Sequence, residues 1–184
     1  MLRISGKEKG KRALPAPGEY ALALLSAKAY SVQEVRAKLR KKGFSPQETE
    51  ETLSGLVRKG FLNDASFARM LADSLYGAGY GKKRISLKLR AKGISPELIH
   101  ETLREEEEPA ASGTEGEKES CTKEESSAEK ALQGRMRILR NEPDPRKRRE
   151  KALRFLAGRG FDVQTCFATV DKYLGKAGES DSFS

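Results

Sequence analysis

The chain has 184 residues, of which 36% are hydrophobic and 34% charged, with a formal net charge of +9 and a pI near 9.6. That length allows one or two ordinary domains, and the low apolar share divides the core into small clusters. No apolar run approaches the ~18 residues of a membrane span, and the first residues hold no apolar signal core, so the expectation is a soluble, cytoplasmic protein with a polyanionic partner.

Residues 1–18 carry Lys7, Lys9, Lys11 and Arg12 among glycine and proline, which reads as a flexible basic arm. From Tyr20 to Ala29 the run Ala21-Leu22-Ala23-Leu24-Leu25 predicts a buried helix. Ser31 with Glu34 makes a capping box for a second helix, whose Val32, Val35 and Leu39 share one face. Gly43 suits the left-handed position past that helix. Ser45, Pro46 and Glu48 then start a third, with Leu53, Leu56 and Val57 as its apolar stripe. Residues 19–62 are thus one three-helix repeat.

Residues 63–104 repeat it. Asn63 or Asp64 caps a helix with Phe67, Met70, Leu71 and Leu75, and Gly77, Gly79 and Gly81 break it. Ile85, Leu87 and Leu89 follow, then Gly93-Ile94-Ser95-Pro96 and a helix with Leu98, Ile99 and Leu103. The stretch from Leu89 to Pro96 copies that from Leu39 to Pro46, 50 residues on, which marks internal repetition.

Residues 105–126 depart from this pattern. Nine glutamates stand against two lysines between 105 and 125, with no large apolar residue, so the stretch reads as an acidic disordered linker. Such a linker would let a third copy swing or would lie on the basic surface in place of DNA. Residues 127–175 hold that third, divergent copy. Ser126 with Glu129 suits its first cap, and Leu132, Met136, Ile138 and Leu139 its first stripe. Leu156, Gly160-Phe161 and Asp162 match Leu39, Gly43-Phe44 and Ser45, and Val163, Phe167 and Val170 form the last stripe. Residues 176–184 read as a disordered tail.

No catalytic constellation is present. His100 is the one histidine, on a predicted helix surface, and Cys121 and Cys166 read as free thiols. One histidine and two cysteines do not make a typical structural zinc site, no phosphate loop occurs, and no cofactor or metal is expected. The recurring feature is a basic middle helix. It carries Arg36, Lys38, Arg40, Lys41 and Lys42 in the first copy and Lys82, Lys83, Arg84, Lys88, Arg90 and Lys92 in the second. In the third it carries Arg146, Lys147, Arg148 and Arg149, with Arg154. Charge runs are commonly solvated faces, but a bias that returns at equivalent places points to DNA phosphates, read by charge and shape rather than by base edges.

Four segments together resemble the RecX family of bacterial RecA modulators. They are Tyr30-Ser31 through Glu34-Val35 and Leu39 to Phe44; Gly60 to Asp64 with Phe67-Ala68; Gly81 through Ile85 and Leu89 to Ile94; and Phe155-Leu156 to Phe161. The resemblance implies an all-α protein, a tandem and curved, elongated array of three three-helix, helix-turn-helix-like repeats. It also implies a non-enzymatic monomer, active in recombination, DNA repair and the SOS response. Such a protein lies in the groove of the RecA–DNA filament, meets single- and double-stranded DNA, and suppresses ATPase activity and strand exchange. The acidic linker is longer than the compact family pattern, and Ser74-Leu75-Tyr76 lacks the arginine expected there, so that contact does not transfer. The alternatives are a stand-alone helix-turn-helix DNA-binding protein and a protein-binding scaffold.

Overall fold

A computed structural model describes residues 15–105 and 122–175. The basic arm with Lys7, Lys9, Lys11 and Arg12, the stretch 106–121 with Cys121, and the tail from 176 lie outside the described residues. The protein is all-α. Among the described residues there are nine helices and no strand. They are α1 (Pro17–Ala27), α2 (Val32–Lys42), α3 (Pro46–Arg58), α4 (Asp64–Gly77), α5 (Lys82–Ala91), α6 (Pro96–Glu105), α7 (Lys123–Leu139), α8 (Pro145–Gly158) and α9 (Val163–Leu174). They fall into two compact units, one up to Leu62 and one from Asn63.

The helix ends follow from residues three or four apart. Ser31 and Ser45 accept from the backbone N–H of Glu34 and Glu48, whose carboxylates accept in return. Asn63 accepts from the Ser66 N–H and Asp162 from that of Thr165. Each middle helix closes the same way. The N–H groups of Phe44, Ile94 and Phe161 reach back to the carbonyls of Leu39, Leu89 and Leu156, which requires left-handed glycines at 43, 93 and 160.

Each repeat owns a small core. In the first unit Val35, Leu39, Leu53, Leu56 and Leu62 close around Ala21. The second unit has two cores, one around Ile85, Leu89 and Ile99, the other around Leu132, Leu156 and Val170. Burying each of these large side chains contributes about 1.5–3 kcal/mol. The apolar stripes are narrower than the sequence suggests. Leu22, Val57, Phe61, Met70, Leu87, Ile138, Val163 and Phe167 are exposed, although several were expected inside. A helix in a three-helix unit packs mainly against the other two of its unit, so flanking apolar positions stay in water. Small Ala21, Ala68, Ala72, Ala128 and Ala152 are fully buried instead.

The start of the third repeat corrects two expectations. Thr122, not Ser126, caps α7, with Glu125 completing the box. Glu124 is therefore not a solvated linker acid. Its carboxylate, 2% exposed, lies 3.2 Å from the Lys82 ammonium and accepts the Lys82 N–H at 3.1 Å. The third repeat also does not swing free of the second. The Gly81 N–H donates to the Arg159 carbonyl at 3.0 Å and the Lys83 N–H to that of Gly160 at 3.1 Å. The Arg159 guanidinium donates to the Ala78 and Gly79 carbonyls, and the Ser127 hydroxyl donates to that of Tyr76. Backbone meets backbone here because Gly81 and Gly160 have no side chain in the way.

Candidate nucleic-acid interface

The last turn of α2 presents Arg40, Lys41 and Lys42, all exposed. Cations at a helix C-terminus complement its partial negative charge, so the helix that carries them is stabilised by them. Lys38 lies over the Tyr30 ring at 5.0 Å, with Lys28 on the same ring at 4.7 Å, and Lys42 lies 5.5 Å from the Tyr20 centroid. In each case it is the ammonium nitrogen that lies over the ring, so a cation–π contact holds the charged head at the surface. Arg36 is spent differently. It donates to both carboxylate oxygens of Glu50, at 2.7 and 3.0 Å, and ties α2 to α3. This hydrogen bond holds the Glu50 carboxyl below its ordinary range.

In the second repeat Lys83, Arg84 and Arg90 are exposed on α5. Lys88 lies 4.5 Å from the Tyr80 centroid, which reproduces the Lys38–Tyr30 pair 50 residues on. Lys82 is half-buried against Glu124, and Lys92 is half-buried. A cleft of about 500 Å³ between α5 and α6 is lined by Lys82, Ser86, Arg90, His100 and Arg104. The sequence places His100 on a helix surface without a binding role and does not single out Arg104, because both lie on the third helix of the repeat rather than on its basic middle helix. The signal that finds them is their placement beside Arg90 across the turn.

The basic residues of the third repeat occupy the opposite end of their helix. Arg146, Lys147, Arg148 and Arg149 lie at the start of α8, within its first turn and a half, whereas α2 carries its cluster in the last turn. Arg146 and Lys147 are exposed, with Lys147 at 4.0 Å from Asp144. Arg148 donates to the Glu142 carbonyl at 2.9 and 2.7 Å, and Arg149 bonds Asp171 and the Gly175 carbonyl. Both staple the repeat together. Arg154 pairs with Glu150 one turn earlier.

Two exposed cationic surfaces therefore stand out, one at the end of α2 and one along α5 and its cleft. Their chemistry suits phosphate oxygens: ammonium and guanidinium donors, with few amide side chains to read base edges. Among the described residues no group of three metal-ligating side chains converges, and no helix is long and apolar enough to cross a membrane.

Comparison with known proteins bears on the family and the fold. Residues 19–61 match the RecX first three-helix domain and residues 63–103 the RecX second three-helix domain. The regulatory protein RecX of Chlorobaculum tepidum is 31% identical over 158 residues, 86% of this chain and 88% of that protein. The regulatory protein RecX of Pasteurella multocida is 39% identical over 79 residues, 42% of this chain and 48% of its own length. That of Mannheimia succiniciproducens is 42% identical over 65 residues, 42% of its length, so these two relatives are matched over less than half of their lengths. The crystal structure of RecX from Lactobacillus salivarius superposes with a TM-score of 0.70, covering 86% of this chain and 94% of that one. At 19% identity that likeness concerns the fold alone.

Proposed function

The chain belongs to the RecX family, and from that premise we propose that it is a non-enzymatic, monomeric regulator of the RecA recombinase in the cytoplasm. In this reading its repeats lie in the groove of the RecA–DNA filament and suppress ATP hydrolysis and strand exchange, without a cofactor. Its exposed cations meet DNA phosphates. The observation that carries the DNA contact is the recurrence of an exposed basic surface on the same helix of the first two repeats. Arg40 and Arg90 occupy equivalent places, each beside a lysine packed on a tyrosine. Arg36, Arg148 and Arg149 contribute to stability rather than to this contact, because acceptors within the fold already occupy them.

The test is the rate of ATP hydrolysis by RecA on saturating single-stranded DNA, with this protein titrated in. Excess DNA removes competition for the strand as an explanation. A fall in rate at substoichiometric protein supports the proposal. An unchanged rate, with a mobility shift of DNA still present, sinks it in favour of stand-alone DNA binding.

A further inference from the structure

We propose that the groove between α7 and α8 is a docking site for an acidic protein segment that carries one large apolar side chain. Two adjoining clefts, of about 560 and 330 Å³, share Arg135, Ile138 and Phe155 and so form one continuous groove. It runs from the α7–α8 loop to the turn at Gly77–Gly79, wholly within the second unit. Ile138 is 52% exposed on this floor, an apolar surface that the core of the repeat does not use. Gly134 leaves open space beside it, so a partner backbone can approach α7 closely.

The charge of the groove defines the partner. Arg135 packs on the Phe155 ring at 5.5 Å, and Arg159 packs on the same ring at 5.1 Å. Arg159 is engaged by the Ala78 and Gly79 carbonyls, Arg154 by Glu150 and Lys151 by Glu142. No carboxylate among the described residues takes the Arg135 fork, which the ring already holds in place. A pre-oriented guanidinium is a receptor for a carboxylate, and the neighbouring Ile138 receives an apolar anchor. Nucleic acid fits less well. Two guanidinium groups are packed on Phe155, so the ring leaves little face for a base to stack on. The exposed cations of α2 do not line the groove, and neither do those of α5, so the site is independent of the DNA-contacting surfaces.

The experiment is fluorescence anisotropy on the full chain with three labelled probes. The first is a short glutamate-rich peptide with a central Leu-Phe pair, the second the same peptide with Ser-Ser there, and the third an oligo-dT strand. Arg135→Glu and Ile138→Ser change exposed side chains, and circular dichroism checks that helicity is kept. Lys41→Glu is the control. The Leu-Phe peptide should bind saturably, weaken about tenfold in Arg135→Glu and severalfold in Ile138→Ser, and be unchanged in Lys41→Glu. Three results overturn the proposal. One is equal or absent binding of the first two peptides. Another is Leu-Phe binding that ignores both groove variants. The third is an oligo-dT affinity that falls with those variants as much as the peptide affinity does.

Discussion

Replacing Gly81 by alanine tests the docking of the third repeat on the second. A Cβ at this position would stand 2.4 Å from the Phe161 nitrogen and 2.5 Å from the carbonyl carbon and oxygen of Gly160. These are backbone atoms, so no rotamer change relieves the overlap. Restoring ordinary packing distances needs a shift of roughly 1 Å, which carries the 3.0 and 3.1 Å bonds at Gly81 and Lys83 out of range. Breaking two backbone bonds costs about 1–3 kcal/mol, and weakening the Arg159 and Ser127 hydrogen bonds brings the total to about 2–4 kcal/mol. With a urea m-value of ~1–3 kcal/mol/M, the midpoint should fall by about 1 M or more. Hydrogen exchange should also show reduced protection at the Lys83 amide. Gly134→Ala is the internal control. It lies inside α7 with nothing within 4 Å of a new Cβ, so it should stabilise by about 0.5–1 kcal/mol. If Gly81→Ala matched Gly134→Ala in midpoint and in Lys83 protection, the backbone junction would not be what holds the repeats together.

Lys41→Ala with Lys42→Ala should weaken duplex DNA binding for all sequences alike and reduce the salt slope by about 0.9 for each phosphate that is no longer neutralised; a salt titration by anisotropy with an unchanged slope refutes this. Acid should destabilise the protein in a defined window. Glu48 is held below its ordinary 4.5 chiefly by the Ser45 N–H, Glu50 by Arg36, and Glu142 by Lys151. Carboxyls lowered in the folded state stabilise it fully above their unfolded values, and that stability is lost as pH falls through the folded ones. Urea midpoints should therefore be flat down to about pH 5.5 and drop below about 4.5. A Glu48→Gln variant that showed the same drop would remove Glu48 from the account. Burial pushes the Cys166 thiol up to about 11. In a Cys121→Ser background, thiol labelling at pH 8 should thus be slow until denaturant is added, and rapid native labelling would contradict the burial.

Much of the fold was legible because its signals are local. Ser31, Ser45 and Asp162 find their partners within three residues, and the turns at Gly43, Gly93 and Gly160 repeat one short pattern. The stripes were legible only in part. Leu89 and Leu39 are fully buried, whereas Leu87, on the same helix as Leu89, remains in water, as do Val57 and Phe167 on the third helices of their repeats. Spacing shows which residues share a face, but not how much of that face a neighbour covers.

The candidate interface divides the same way. The sequence by itself determined the cations, their recurrence 50 residues on and the helices that carry them, since all three depend on residue type and spacing. Only the tertiary structure decided which cations remain available. Arg36 finds Glu50 14 residues away, Lys82 finds Glu124 at 42, Arg149 finds Asp171 at 22, and Arg159 crosses 81 residues to the Ala78 carbonyl. A guanidinium is the same group in the sequence whether it later faces phosphate or a neighbouring repeat. Its role depends on what folding brings within about 3 Å of it, and at these separations no local pattern encodes that.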